Sequence, residues 1–138
     1  INALADTGAD SLAEIAAKLD PSKGLAIITE GLVNYFDTAT VQQMWARFAQ
    51  VLSGFQHGLY LSDLHIKATN RGPATRTFVG GRVHLHFKDT GSAEVALSQA
   101  GFSQGVLLKP SEFRDQLPDC RATGVDVVRV VCARTTHP

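Results

Sequence analysis

The sequence predicts an α/β fold. Three observations carry this. Short, continuous apolar runs alternate with segments of helical periodicity along the chain. The 138 residues suit one domain. Hydrophobic residues make up 44% and charged residues 19%, enough apolar material for a core covered by a polar surface. Strands that alternate with helices imply βαβ units and a mostly parallel sheet with helices on both faces.

The elements follow in order. Asp10-Ser11 with Glu14 reads as a capping box, and Leu12, Ile15, Ala16 and Leu19 recur at helical spacing. Asp20-Pro21 stops that helix. Residues 24–29 (Gly-Leu-Ala-Ile-Ile-Thr) form an apolar run expected to be a strand buried on both faces. Asp37 is placed to cap a second helix, where Val41, Met44, Trp45, Phe48, Ala49 and Leu52 share one stripe. Residues 59–63 read as a second buried strand. Residues 92–100 read as a helix closed by Gly101. A third strand is expected at 106–108, a short helix at 111–117, and a β-branched last strand at 125–133.

Charge narrows the function classes. Lys plus Arg and Asp plus Glu each number 13, which argues against a non-specific nucleic-acid binder. The balance hides an asymmetry: residues 1–66 hold three cations and seven anions, and residues 67–138 hold ten and six. Between Leu64 and Asp89 lie Lys67, Arg71, Arg76, Arg82 and Lys88 with no anion, among Asn70, Gly72, Pro73, Gly80 and Gly81. This reads as a long basic connection, either simply solvated or functional. No apolar run approaches the roughly 20 residues of a membrane helix. Cys120 and Cys132 lack redox or zinc spacing and are expected to be reduced thiols of a cytoplasmic protein. No secretory pattern is visible, and the start at Ile1 rather than Met implies either that residues were removed or that this is a piece of something longer.

Ligands of open α/β sheets bind at the carboxyl ends of strands. After the first strand, Glu30 can accept hydrogen bonds from an ammonium or hydroxyl group, and Gly31 allows close backbone approach. A plain turn is the alternative. After the second strand, Asp63 and His65 alternate to one side; a carboxylate-oriented imidazole is a candidate general base, and two loop groups satisfying backbone donors are the alternative. His84-x-His86 would put two imidazoles on one strand face, a spacing that can bind a metal, but no third ligand is fixed by a motif, so no metal site is expected. His57 and His137 sit near turns or ends. Nucleophile-elbow, phosphate-loop and dinucleotide glycine motifs do not occur in the sequence.

At Glu30-Gly31-Leu32 with Tyr35, then Tyr60-Leu61-Ser62-Asp63, Ala100-Gly101-Phe102 and the closing residues 127–131, the sequence resembles a known family. It is similar to the C-terminal half of class I S-adenosylmethionine-dependent methyltransferases of the leucine carboxyl methyltransferase group, in particular the polyketide-type O-methyltransferases. The resemblance implies a single α/β domain over 1–138 that lacks the upstream strands and glycine turn of the cofactor site. It implies that Asn2, Ala3 and Leu4 border adenine, and that Glu30, Gly31 and Tyr35 lie near the methionine moiety of S-adenosylmethionine. It implies a small-molecule or carboxylate methyl acceptor, with His65 as base and Asp63 as its orienter, and a lid over 66–82. The isolated chain is then expected to be inactive. Two other readings stand beside it. One is a non-enzymatic domain that self-associates, as a homodimer, through an exposed sheet edge. The other is a small-anion binder using the 67–88 cations.

Overall fold

The computed structural model describes residues 1–69 and 83–136. Arg71, Arg76, Arg82, the Asn70, Gly72, Pro73, Gly80 and Gly81 positions, most of the expected lid, and His137 lie outside the described residues. Four strands form one sheet: β1 (Gly24–Thr29), β2 (His57–Leu64), β3 (Gln104–Leu108) and β4 (Arg129–Thr136), in the order β1-β2-β4-β3. β1 pairs in parallel with β2, Gly24 opposite His57 and Thr29 opposite Ser62. β4 slots between β2 and β3 and runs antiparallel to both. β1, β2 and β3 therefore share one direction, as the alternating pattern implies, but only one of the three pairings is parallel. Crossover helices after β1 and β2 keep the first strands aligned. The irregular 109–128 connection lets β4 return beside β3 with no crossover helix.

Helix α1 (Leu12–Ala16) is capped by Ser11, whose hydroxyl accepts from Glu14 N at 3.3 Å. It stops at Ala16, and Leu19, expected on its buried stripe, is exposed. Helix α2 (Thr38–Leu52) begins where expected: Asp37 Oδ1 accepts from Thr40 N at 2.8 Å. Its predicted stripe is buried throughout. Helix α3 (Thr90–Ala100) starts two residues earlier than the sequence implies, because Asp89 and Ser92 cap it reciprocally. Gly101, with φ of 108°, closes it.

These helices gather on one face. Trp45, Phe48 and Leu52 of α2 meet Tyr60, Val131 and Ala133 of the sheet, with Leu97 of α3 and Phe102. Tyr60 lies tilted against Phe48 at 5.3 Å and stacked on Phe102 at 5.8 Å, and its hydroxyl accepts from Trp45 Nε1 at 3.2 Å. Gly58 is a position of forced approach: a Cβ there would lie 2.8 Å from Leu52 and overlap the Thr135 hydroxyl.

The other face bears no helix among the described residues. Ile28, Leu61, Cys132 and Val106 stand in one row across it by register. Ile28 is 70% exposed and Val106 43%. The expectation that β1 is buried on both faces is thus corrected. Only its Leu25, Ile27 and Thr29 side meets the helices, and Ala26 and Ile28 lie open. Two further boundaries move. Residues 111–117 hold no α-helix, only a 3₁₀ turn at Pro110–Phe113. Residues 125–128 precede the last strand, because Gly124, with φ of 80°, leads into a 3₁₀ turn at Val125–Val127.

Candidate functional site

Parallel β1 and β2 end side by side, so the residues following them converge. Thr29 closes β1 by donating to Ser62 Oγ at 2.8 Å, with Tyr60 OH 2.9 Å away. Burial pushes the Tyr60 hydroxyl pKa up, while its bonds to Ser62, Thr29 and Trp45 act the other way. Glu30 is exposed at the strand tip. Gly31 follows with φ of 59° and nothing close to the place a Cβ would occupy. Its amide donates to Asp63 Oδ1 at 2.8 Å, so the predicted carboxylate of β2 pins the predicted glycine turn of β1. Tyr35, in the 3₁₀ turn Val33–Tyr35, is exposed.

The site also depends on a residue that sequence reasoning missed. Asn34 is 8% exposed. Its Nδ2 donates to the carbonyls of His65, at 3.1 Å, and His84, at 2.6 Å, and its Oδ1 accepts from His65 N at 2.9 Å. Its own carbonyl accepts from His84 N at 2.7 Å. One buried carboxamide thereby joins the turn after β1, the residues after β2 and the 83–87 segment. The available signal was a lone polar residue between Val33 and Tyr35-Phe36: a polar group in a run that buries must be hydrogen-bonded.

His65 lies just past β2, its backbone held by Asn34, and Asp63 is within the strand. His84 and His86 stack at 5.8 Å, but not on a strand as the x-spacing suggested. His86 Nε2 is 3.3 Å from Val33 O and Nδ1 2.9 Å from Thr38 Oγ1. A carbonyl only accepts, so the proton belongs on Nε2. Burial holds the His86 pKa below its ordinary 6.5. Among the described residues, no three His, Cys, Asp or Glu side chains gather as a metal site, and no helix is long and apolar enough to cross a membrane.

Asn2 is held at the start of α1 and Ala3 against α2. Asn2 bridges Ser11 and its Oδ1 accepts from Leu4 N at 3.0 Å. Arg47 of α2 donates to Ala3 O at 3.0 Å and pairs with Asp6. Ala3 then helps line a cleft of about 500 Å3 along β1, with Ile1, Ile28, Thr29, Leu32 and Phe48. Asn2, Leu4, Glu30, Gly31 and Tyr35 are not among its lining residues. Four of the predicted residues thus form two neighbouring groups, Ala3 in an apolar cleft and Glu30, Gly31 and Asp63 at the strand ends; Asn2, Leu4, Tyr35 and His65 fall outside both.

No protein-family model and no curated protein matches this chain. Solved structures do. A provisionally assigned O-methyltransferase of Nostoc punctiforme PCC 73102 superposes with a TM-score of 0.54 at 17% identity, covering 91% of this chain and 36% of its own. A possible exported protein of Bordetella parapertussis does so at 0.54 and 19%, covering 88% and 42%. Human N-acetylserotonin methyltransferase, solved in complex with SAM, does so at 0.52 and 14%, covering 86% and 31%. The chain thus spans between about a third and two fifths of the length of the structures it matches. At these identities the likeness concerns architecture, and the chain has a class I methyltransferase-like α/β fold.

Proposed function

We propose that this chain is part of an S-adenosylmethionine-dependent O-methyltransferase acting on a small molecule or a carboxylate. The observation that carries the reading is the Gly31 turn, held by Asp63 beside the Ala3 cleft, in a methyltransferase-like fold. The residue types fit the cofactor. An apolar cleft suits a flat base, Glu30 offers an exposed carboxylate to hydroxyl or ammonium groups, and Gly31 lets a ligand approach the backbone. Asn2, Ala3 and Leu4 are the proposed adenine border; Glu30, Gly31 and Tyr35 are the proposed neighbours of the methionine end. When bound, S-adenosylmethionine supplies an activated methyl group.

The protein's own work is chiefly positional. Asp63 sets the Gly31 turn, and Asn34 sets the backbone of His65. In-line placement of an acceptor oxygen is the main requirement of methyl transfer. A hydroxyl acceptor also has to lose its proton, and His65 is the proposed base, with Asp63 as its orienter. A carboxylate acceptor has no proton to lose. The short span relative to the matched structures supports reading the chain as a part of a longer protein, and the remaining cofactor contacts are proposed to lie upstream. The isolated chain is then inactive.

Calorimetric titration with S-adenosylhomocysteine tests this, on this chain and on a form extended by the upstream strands. Only the extended form should bind, and Gly31→Val should weaken it about tenfold or more, since a branched residue is strained at this φ. Tight binding by the short chain alone would sink the half-site idea; no binding by either would sink the cofactor assignment.

A second reading is favoured by the exposed Ile28 on edge strand β1: a non-enzymatic α/β domain that self-associates through that edge.

A further inference from the structure

We propose that the cavity under the β3–β4 connection binds the carboxylate of a small organic acid. Three 3₁₀ turns, Pro110–Phe113, Pro118–Arg121 and Val125–Val127, fold this connection over itself. They border an open cavity of about 660 Å3 that Ser111, Arg114, Cys120, Arg121, Val125 and Val127 help to line. Thr69, just after β2, closes one side by donating to Val127 O at 2.9 Å.

The charges in this cavity are arranged unequally. Asp126, its carboxylate, is spent on the fold: Ser111 N and Oγ donate to its two oxygens at 2.9 and 2.6 Å. Those bonds, with Arg129 and Lys109 nearby, hold its pKa below the usual carboxylate value. Arg129 lies behind it, 8% exposed, with NH1 donating to the carbonyls of Asp126 and Val128 and Nε without a partner. The wall at Asp126 thus rests on a buried cation. In front, Arg121 Nε donates to Arg114 O at 2.9 Å, which ties the two arginine-bearing turns together. Among the described residues, Arg47 pairs with Asp6, and Arg114 and Arg121 form no ion pair.

Arg114 and Arg121 both line this open cavity, and the planar fork of a guanidinium donates in parallel to the two oxygens of a carboxylate. Val125 and Val127 give the body of the acid an apolar wall, which a bare inorganic oxyanion cannot use. β4 is antiparallel to β2, placing Arg129 opposite Leu64 and Val130 opposite Asp63. The cavity therefore opens on the same end of the sheet as Asp63 and His65. The role of the acid as methyl acceptor rests on the proposed function; its binding does not.

The test uses this chain without cofactor. Benzoate is titrated calorimetrically beside benzamide, its neutral near-isostere, and inorganic phosphate. The rate of iodoacetamide reaction at Cys120, which lines the cavity, is followed beside that at Cys132, on the open sheet face. Benzoate should bind and slow Cys120 while Cys132 keeps its rate, and benzamide should do neither. Arg114→Gln and Arg121→Gln should each weaken benzoate about tenfold or more, the order expected for a lost charge-assisted bond. Exposed Arg134→Gln, at the far end of β4, should leave it unchanged. Absence of benzoate binding, equal binding of benzamide or phosphate, or equal loss in the Arg134 variant would each overturn the proposal. Binding of benzoate, with failure of the extended form to take S-adenosylhomocysteine, would leave the site standing and remove only the acceptor role.

Discussion

His86 shows how one side chain acquires a property that its residue type alone does not have. Its ring sits between Val33 O and Thr38 Oγ1, stacked on His84 and edge-on to Phe87. Burial lowers its pKa, the Val33 carbonyl opposes that, His84 and Lys67 lower it further and Asp37 raises it. A depressed folded value means that the unfolded chain takes up the proton first as pH falls. The stabilisation is therefore complete above about pH 6.5 and is lost as pH falls toward the folded value. Urea midpoints measured at about pH 7.5 and about pH 5.5 should drop on acidification. The drop should be smaller in His86→Gln; an identical drop would assign the effect to other groups. The histidine pair was legible as a spacing. Its stacking was not, because residues 83–87 pack as irregular chain against α2, not as a strand.

Between elements, Asn34 does what no helix or strand does here. It fastens the turn after β1 to the residues after β2 and to the 83–87 segment. Asn34→Leu keeps a branched side chain of similar shape but removes the partners of three backbone groups. Each such orphan costs roughly 1–3 kcal/mol, so a loss of about 3 kcal/mol is expected by chemical denaturation. A change under about 0.5 kcal/mol, typical of a surface position, would mean that the clamp contributes nothing. Helix α2 was readable end to end, since Asp37 caps it and one stripe meets the sheet. The last strand was not. Val125, Val127 and Val128 have strand propensity, but Gly124 turns the chain and Asp126 is committed to Ser111. Local hydrogen bonding overrides β-branching there.

At the scale of the whole molecule, the opposite sheet face carries no helix among the described residues, with Ile28, Leu61, Cys132 and Val106 in a row across it and Ile28 and Val106 exposed. Edge strand β1 has no partner on its outer side among the described residues. Apolar faces and free edges associate. The mass of this chain by light scattering should rise with concentration, and Ile28→Lys, a charge on that face and edge, should lower it. A constant monomer mass would count against the self-association reading.

The amino-acid sequence alone determined the α/β class, helix α2 with its cap, the apolar strands and the polar turns that follow them. These depend on neighbours a few residues away, through capping, periodicity and propensity. The tertiary structure decided the antiparallel insertion of β4, the one-sided helix layer, the Asp63–Gly31 bond, the Asn34 clamp and the arginine-lined cavity. Each of these joins residues distant in sequence, so its energy exists only once the chain has closed on itself and the register is set.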